Sequence, residues 1–475
     1  MYYYNNEPLQ LSYRNDYTTG EKIEIVLQLQ NDLKVGMLSA EQMRWIVDNK
    51  RFGAFTVQKE IDRLMFEGKI KISGSKNSCL PILAASLLTD REKKLKNIPR
   101  LSDVFLMIRI LESLNSKVSL NKDFCKIKTS KPKNFNVSYD LVRKMRASFL
   151  ILGPLLTRYG NAEVSLPGGC AIGTRPVDLH IEGLKKMGAN ITIHDGYVKA
   201  KVVGKLKGSE INLKKISVGA TENIMMAATL AEGTTLIKNA AREPEIVDLA
   251  NFLIKMGAKI SGQGTSKIKI IGITKLLGCE YKIMPDRIEA GTYALCVMGC
   301  SGKIILENMN NDVSDHLIKI FLPLKSLDLK KKKKGKILQV EKIQKKFKPI
   351  KIITKEYPGF PTDLQAQLTA SLLKSNGKSE LKENIFENRF MHISELKRMG
   401  ANIKLKGSKL EIFGVDELFG AEVMATDLRA SSSLIIAGLM ASGVTTVSRV
   451  YHLDRGYENL EEKLQNCGVT IRRIS

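Results

Sequence analysis

Hydrophobic and polar positions along this 475-residue chain repeat one pattern, in which an amphipathic helix ends at a glycine and an alternating strand follows. The glycine lies where the helix needs a left-handed residue to end. The clearest copies are LKKMGANITI from Leu184, LIKMGAKISG from Leu253, LKRMGANIKL from Leu396 and LQNCGVTIRR from Leu464. A drifted copy, LESLNSKVSL, begins at Leu111, and a badly decayed one, PLKSLDLKKK, begins at Pro323.

A second pattern precedes each copy and consists of the end of an apolar helix, a glycine turn and a strand. It is clearest in AEGTTLIKNA from Ala231 and ASGVTTVSRV from Ala441. The two patterns together form an αβ unit that recurs about every 70 residues, a period too long for ordinary solenoids. Six such units predict an α/β protein of two domains with three units each.

The first part of the chain, residues 1–62, does not follow this pattern. SAEQMRWIVDNK from Ser39 predicts a capped helix, with Ser39 as the N-cap and Gln42 three residues later. We therefore expect an N-terminal extension that is partly helical and has an unknown role.

The amino-acid composition is strongly basic, and this charge alone does not identify the function. The chain has 75 Lys and Arg residues against 49 Asp and Glu, a formal net charge of +26, spread along its whole length. A solvated lysine-rich surface explains this charge, and attraction to a polyanion is the alternative. No apolar stretch reaches the roughly 20 residues of a membrane span, and the N terminus shows no signal-peptide pattern.

Cysteine and histidine usage predicts a cytoplasmic protein without a metal site. The seven cysteines form no CxxC pair, and the five histidines do not cluster. Free thiols of this kind are typical of a reducing compartment.

Candidate chemistry lies at loop–helix junctions. Cys170 follows two glycines in LPGGCAIGTRPVDLH, where Arg175 favours its thiolate and Asp178 follows. Lys76 and Asn77 stand at a predicted helix entrance in ISGSKNSC, a position that favours an anion. A loop cysteine without a task and an ordinary surface lysine are the structural alternatives.

Further charged candidates lie beside apolar helices, where a charge needs a partner. They are Arg146 in MRASFLILGPLL, Arg429 in MATDLRASSSL, Asp363 in PGFPTDLQAQL and Arg455 in HLDRGYENLEEKL. Capping and surface charge explain each of them separately. Together, several cations, one carboxylate and one thiol suit a phosphorylated substrate and a reaction that needs an acid and a base.

These stretches, together with PDRIEAGT and FENRFMHISELKRMGA, resemble the enolpyruvyl transferase family from about residue 68 to 474, and within it the transferases that act on UDP-N-acetylglucosamine. The resemblance implies a two-domain inside-out α/β barrel built from six βαβαββ repeats, with the active site in the cleft between the domains. By resemblance, one domain comprises residues 76–284, and the other comprises 63–75 plus 285–475.

The resemblance also implies an activity, the first committed step of peptidoglycan biosynthesis. The enolpyruvyl group of phosphoenolpyruvate is added to the 3-hydroxyl of UDP-N-acetylglucosamine through a tetrahedral ketal, and phosphate is then eliminated. No cofactor or metal is implied. We expect these two substrates as the only partners, with no nucleic acid or membrane, and a monomer.

Site residues carry over by matching motifs. The implied catalytic residues are Cys170, Asp363, Lys76 and Arg455. The implied phosphoenolpyruvate contacts are Lys76, Asn77, Arg146, Arg175, Arg429 and Arg455. The implied UDP-sugar contacts are Asn77, Arg146, Arg175, Pro176, Val177, Asp178, Leu179, Lys215, Ser217, Val218, Gly219, Asp363 and Ile385.

Two departures and three alternatives remain. About 60 unrelated residues precede the match and the hairpin before ISGSKN is shortened to RLMFEGKIKISG, which leaves the edge of the second domain open. The segment after Ser314 has lost the usual helix–glycine–strand sequence, which raises the question of stability. A 3-phosphoshikimate enolpyruvyl transferase is the first alternative, although PGGCAIG and FENRFMH argue against it. A polyanion-binding protein and an inactive homologue are the others.

Overall fold

The computed structural model describes residues 54–58, 66–142, 145–166, 177–344 and 348–474, and a strand pair near the N terminus. The buried hydrophobic residues form two separate cores. One is formed within residues 79–283, which we call the first lobe. The other is formed by residues 55–72 and 284–471, which we call the second lobe.

The strands are short and regularly spaced along the chain. Those up to the end of the first lobe are β1 Tyr3–Tyr4, β2 Glu7–Pro8, β3 Ala54–Gln58, β4 Phe66–Lys71, β5 Lys93–Lys96, β6 Ser116–Leu120, β7 Phe124–Thr129, β8 Asn136–Val137, β9 Asn161–Ser165, β10 Asn190–His194, β11 Tyr197–Lys201, β12 Glu210–Asn212, β13 Thr234–Lys238, β14 Lys259–Ser261, β15 Lys267–Ile271 and β16 Glu280–Lys282. The remainder are β17 Gly302–Glu307, β18 Leu327–Lys332, β19 Ile337–Lys342, β20 Lys351–Ile353, β21 Lys378–Lys382, β22 Asn402–Lys406, β23 Lys409–Phe413, β24 Glu422–Met424, β25 Val444–Ser448 and β26 Thr470–Ile474.

The described α-helices alternate with these strands. They are α1 Lys76–Ala85, α2 Ser102–Ser113, α3 Tyr139–Val142, α4 Leu152–Tyr159, α5 Asp178–Lys186, α6 Val218–Ala228, α7 Pro244–Lys255, α8 Arg287–Cys300, α9 Asn311–Phe321, α10 Gln365–Leu372, α11 His392–Arg398, α12 Leu428–Met440 and α13 Leu460–Gln465. Short 3₁₀ helices cover Ser86–Leu88, Arg146–Ile151, Leu322–Leu324, Thr362–Leu364 and Val450–Arg455. None of these helices is long and apolar enough to cross a bilayer.

Each lobe places its helices in two sets. Helices such as α8 and α12 are buried along almost their whole length, because after their first turn nearly all of their residues are apolar or small. The helices that carry the repeated pattern, such as α5 and α7, bury one face and expose the other. The lobes are therefore inside-out barrels, with helices in the interior and sheets outside.

The six four-stranded sheets of the described chain share one topology. Their strand orders are β16-β5-β7-β6, β8-β9-β11-β10 and β12-β13-β15-β14 in the first lobe, and β4-β17-β19-β18, β20-β21-β23-β22 and β24-β25-β3-β26 in the second. The first pair in each sheet is parallel and the other two are antiparallel. This confirms the predicted α/β class and the six repeats.

Strand β3 corrects the N-terminal boundary taken from the sequence. It lies between β25 and β26, where Val57 faces Thr445 and Ile471, and its side chains Phe55 and Val57 are fully buried. Residues 54–58 therefore belong to the second lobe and not to an extension that ends at residue 62. The pairing was not visible in the sequence because the partner strands lie at the far end of the chain.

The decayed repeat folds on the same plan as the others. Helix α9 is followed by a 3₁₀ turn and by the hairpin β18–β19. Lys325 occupies the left-handed position with φ of 51°, where the intact copies have glycines such as Gly188 and Gly400. The erosion therefore leaves the topology intact. It also puts non-glycine residues in left-handed positions, namely Lys325 after the helical segment and Lys333 and Lys334 in the hairpin turn.

Candidate active site

Helix N-termini and two chain crossings build the region where the lobes meet. The chain passes between lobes beside Ser73–Lys76 and again beside Met284–Arg287. The crossings are joined by hydrogen bonds from Ser75 N to Met284 O at 2.8 Å and from Asp286 N to Ser73 O at 2.9 Å. Lys76 N also donates to Asp286 Oδ2 at 3.1 Å. The entrance of α1 is thereby fixed between both lobes.

Asp286 and Asp427 explain why α8 and α12 begin at this point. Asp286 Oδ1 accepts from Ile288 N and Glu289 N at 2.8 and 2.9 Å. Asp427 Oδ1 accepts from Arg429 N at 2.8 Å. Such caps satisfy N–H groups that have no partner within the helix, and they fix the direction in which the first helical side chains leave the backbone.

Asp363 is held by two arginines of the second lobe. Arg389 Nη2 lies 2.6 Å from Asp363 Oδ1, and Arg429 Nη2 lies 2.9 Å from Oδ2. Burial would raise the pKa of Asp363, but the charges of Arg429 and Arg389 outweigh it and hold the pKa well below its usual range. Asp363 is therefore an ionised carboxylate at neutral pH.

Lys76 and Arg455 meet at Asp103. Lys76 Nζ lies 3.4 Å from Asp103 Oδ2, and Arg455 Nε lies 2.9 Å from Asp103 Oδ1. Burial would raise the pKa of Asp103, but Arg455 and Lys76 together hold it below its usual value. Two cations predicted from separate sequence motifs thus lie on one carboxylate.

The two carboxylate clusters share one electrostatic environment. Burial lowers the pKa of Lys76, and Asp103 acts in the opposite direction. Arg429 and Arg455 lower the pKa of Lys76 further, while Asp363 raises it. Charge effects of this kind need proximity, so the structure brings Lys76, Asp363, Arg429 and Arg455 together as one polar site.

A second group of predicted residues lies at the entrances of α5 and α6. Val177 is the N-cap residue of α5, and Asp178 and Leu179 begin the helix. Ser217 caps α6 by accepting from Ala220 N at 3.3 Å. His180 links the two entrances, because its ring lies close enough to Gly219 that a Cβ there would sit 3.1 Å from Cε1. Lys215 lies two residues before Ser217, and Val218 is the first residue of α6.

Ile385 joins the Asp363 site through Glu383. Glu383 Oε1 accepts from Ile385 N at 2.7 Å, and Glu383 Oε2 accepts from Thr362 Oγ1 at 2.9 Å. Because Thr362 precedes Asp363, the loop after β21 is fixed to the segment that carries the carboxylate.

The remaining predicted residues were not placed in either of the two groups above. Asn77 follows Lys76 in α1, and Arg146 begins the 3₁₀ helix Arg146–Ile151. Arg146 acts on His180, whose pKa is lowered to about 3 by burial and then by that charge. Cys170, Arg175 and Pro176 lie outside the described residues. Among the residues that are described, no cluster of His, Cys, Asp and Glu could hold a metal ion.

Sequence reasoning missed Asp103 and Arg389. Arg389 lies within FENRFMH, which was recognised as a motif, but nothing in that motif indicates a partner for its guanidinium. Asp103 stands in the first turn of α2, where an acidic residue is ordinary. Asp286 lay in the quoted PDRIEAGT without a role being assigned, although an aspartate before an apolar helix is a recognisable cap.

The chain is similar to known proteins along most of its length. The family model described as EPSP synthase (3-phosphoshikimate 1-carboxyvinyltransferase) matches residues 61–464. The UDP-N-acetylglucosamine 1-carboxyvinyltransferase 1 of Caldanaerobacter subterraneus subsp. tengcongensis is 51% identical over 407 residues, covering 86% of this chain and 97% of the relative. The UDP-N-acetylglucosamine 1-carboxyvinyltransferase of Thermodesulfovibrio yellowstonii is 52% identical over 412 residues, covering 86% and 98%.

Solved structures share the fold at lower identity. The enolpyruvyl transferase NikO from Streptomyces tendae superposes with a TM-score of 0.78 at 21% identity, covering 89% of this chain and 99% of that one. An EPSP synthase from Acinetobacter baumannii gives a TM-score of 0.69 at 18% identity, covering 89% and 100%. The family-model match and the 51% and 52% identities of the two relatives show the family. This chain belongs to the UDP-N-acetylglucosamine 1-carboxyvinyltransferases of the EPSP synthase family.

Proposed function

We propose that this enzyme transfers the enolpyruvyl group of phosphoenolpyruvate to the 3-hydroxyl of UDP-N-acetylglucosamine and releases phosphate, using the polar site between the lobes. The observation that carries the proposal is the meeting of Lys76, Arg455 and Arg429 with two carboxylates at helix entrances, one buried and one partly buried. Three cations at one point suit a donor that carries both a phosphate and a carboxylate.

The cations are proposed to bind the donor and to stabilise the charge that moves during addition. Arginine offers a planar fork that matches carboxylate and phosphate oxygens, whereas Lys76 provides a point charge. Asn77, Arg146 and Arg175 complete the predicted donor contacts. Because carboxylates already order Lys76, Arg429 and Arg455, these three side chains need little reorganisation in the transition state.

Asp363 is proposed to accept the proton of the sugar hydroxyl. That oxygen then attacks C2 of the enolpyruvyl group while C3 gains a proton, which gives the tetrahedral ketal. In the second step C3 loses a proton and phosphate leaves. Since the arginine pair keeps the pKa of Asp363 low, donor anions that draw Arg429 or Arg389 away would raise it toward that of an effective base.

Cys170 is proposed as the group that moves the proton at C3, as its match to the family's loop cysteine implies. The UDP-sugar is proposed to bind along the entrances of α5 and α6, through Val177, Asp178 and Leu179 and the segment from Lys215 to Gly219. Helix entrances favour anions, so the diphosphate of the acceptor suits this position. Arg175, Pro176 and Ile385 are the further predicted contacts.

The proposed setting is the cytoplasm, where the product enters cell-wall synthesis and so supports cell shape and division. The cysteines among the described residues are free thiols, which suits a reducing compartment. We propose a monomer, because the polar site is built by both lobes of one chain. Neither nucleic acid nor membrane is a proposed partner.

Phosphate release from the purified enzyme tests the proposal. We expect release with phosphoenolpyruvate and UDP-N-acetylglucosamine, none with 3-phosphoshikimate as the acceptor, and loss of release after treatment with fosfomycin. Release with 3-phosphoshikimate alone would favour the sister activity. An absence of release with either acceptor, from a folded protein, would favour an inactive homologue.

A further inference from the structure

The carboxylate of Asp103 connects the two lobes inside the polar site. Asp103 belongs to α2 of the first lobe, and its side chain is only 6% exposed. It contacts Lys76 Nζ at 3.4 Å in its own lobe, and Arg455 Nε and Nη2 of the second lobe at 2.9 and 3.4 Å. The contact therefore joins two proposed donor-binding cations that lie on opposite sides of the site.

This arrangement has a counterpart within the second lobe. Asp363 also binds two cations, Arg389 and Arg429. Each carboxylate thus lies between two positive charges, offsets one of them and reduces the repulsion between the pair. The difference is that the Asp363 pair is held within one lobe, whereas the Asp103 pair spans both.

A phosphate that arrives at Lys76 and Arg455 meets groups that are already bound to an anion. Lys76 and Arg455 can bind the phosphate fully only if they share or release Asp103. Until then, Asp103 keeps both side chains ordered and offsets the cost of their burial. The charge of Asp103 therefore affects both the affinity of the site for phosphate and the positions of the Lys76 and Arg455 side chains.

We propose that Asp103 is a positioning residue for the phosphate-bearing donor, which holds Lys76 and Arg455 together across the lobes and competes with the donor's phosphate for them. The proposal rests on the proposed function for its substrate. It adds a residue that none of the matched motifs contributed.

Removal of the Asp103 charge has a predictable effect on Lys76. The charged groups that act on Lys76 are Asp103, Arg429, Arg455 and Asp363, and Asp286 caps its backbone N–H. Burial lowers the pKa of Lys76, and Asp103 raises it. Without Asp103, the pKa of Lys76 falls further, so Lys76 loses its proton, and with it the donor, at a lower pH.

The test compares wild type with Asp103→Asn, with Asp103→Glu as the conservative rescue. Asp315→Asn is the matched control, because it removes the same charge from an exposed ion pair with Lys331. We expect Asp103→Asn to bind inorganic phosphate at least about threefold more tightly at pH 6.5, because a competing anion is gone. Its kcat should fall at least about tenfold, because Arg455 is no longer held.

The pH profile provides a readout that a merely structural role would not move. The alkaline limb of kcat/KM for phosphoenolpyruvate should shift to lower pH in Asp103→Asn and return toward wild type in Asp103→Glu. The control Asp315→Asn should match wild type in both assays. If Asp103→Asn does not fold, Asp103→Ser removes the same charge with a smaller side chain.

Unchanged phosphate affinity together with an unchanged alkaline limb, in a folded Asp103 variant, would overturn the proposal. Phosphate binding is measured without turnover, so the result stands even if the wild-type enzyme releases no phosphate with either acceptor. In that case the proposed function fails, whereas the competition between Asp103 and phosphate is still decided by the binding comparison.

Discussion

Arg287 and Glu245 form a buried ion pair between the lobes, with Arg287 Nε lying 2.9 Å from Glu245 Oε1. Their side chains are only 8% and 3% exposed. Burial lowers the pKa of Arg287, but the charge of Glu245 outweighs it and the pKa is raised. Arg287 also lies close enough to Asp363 to feel its charge, so this pair supports the lobes beside the active site.

Glu245→Gln should therefore lower the free energy of unfolding by about 3 kcal/mol, because it leaves Arg287 buried without its main partner. Urea unfolding at neutral pH measures the loss. The double variant Glu245→Leu with Arg287→Met should recover much of it, since two apolar side chains replace two charges. Glu182→Gln, which breaks the exposed pair with Lys214, serves as the control and should change little. A loss in Glu182→Gln as large as that in Glu245→Gln would contradict the prediction.

Lys325→Gly should stabilise the decayed repeat. Lys325 is exposed and has φ of 51°, a conformation that costs L-residues roughly 1–2 kcal/mol. Glycine removes this cost but gains freedom in the unfolded chain, so we expect a net increase of about 0.5–1 kcal/mol in the free energy of unfolding.

Two substitutions control for this effect in chemical or thermal unfolding. Gly188→Lys creates the same strain in an intact repeat, at a position with φ of 93° and no neighbour within 4 Å of a new Cβ, and should be destabilising. Asn115→Gly should give no gain, because asparagine tolerates this region and its side chain donates to Lys131 O at 2.8 Å. A gain at Asn115 equal to that at Lys325 would refute the explanation from strain.

His180 should make the protein less stable as the pH falls. Its pKa is lowered to about 3 by burial and by Arg146, so below the ordinary histidine value the unfolded chain binds a proton that the folded chain does not. Stability is therefore lost from about pH 6.5 downward until the folded pKa is reached. Between pH 6.5 and 5.5, wild type should lose about 1 kcal/mol more than His180→Gln.

Urea unfolding at three pH values measures this slope. His194→Gln removes an exposed histidine that pairs with Asp195, and it should retain the wild-type slope. Equal slopes for wild type and His180→Gln would mean that the buried ring takes up its proton without loss of the fold.

Asp363→Asn should lower kcat by about 10²–10⁴-fold, the range expected for loss of a general base. The amide keeps the shape of the carboxylate, so Arg389 and Arg429 lose an anion but not a neighbour. Steady-state phosphate release measures the effect, and circular dichroism verifies folding. Wild-type turnover in a folded Asp363→Asn variant would remove the base assignment.

Cys170→Asp should resist inactivation by fosfomycin. The family resemblance implies that the drug reacts with the Cys170 thiol, and aspartate has no thiol. The measurement is residual phosphate release after timed exposure to the drug, with Cys279→Ser as the matched thiol control, which should stay sensitive. Continued inactivation of Cys170→Asp would mean that fosfomycin acts at another group.

The repeats and the charged candidates were predictable because their signals are local. A helix, a glycine and an alternating strand follow one another within ten residues, and Lys76, Asp363 and Arg429 each stand at a helix entrance. Asp103 and β3 were not predictable in this way. Asp103 acquires its role from Arg455, 352 positions later. Strand β3 pairs with β26, where Thr56 lies opposite Arg472, 416 positions later.

The two chain crossings lie side by side, since Ser75 N donates to Met284 O. In topological terms the first lobe is an insertion whose ends meet, and the second lobe that carries it includes β3 from before the insertion and β26 from after it. It could be excised as one continuous piece, or exchanged with the matching piece of a relative, without rerouting the remaining chain. Any rotation of one lobe against the other would turn on this short pair of crossings, of which Lys76 is a part.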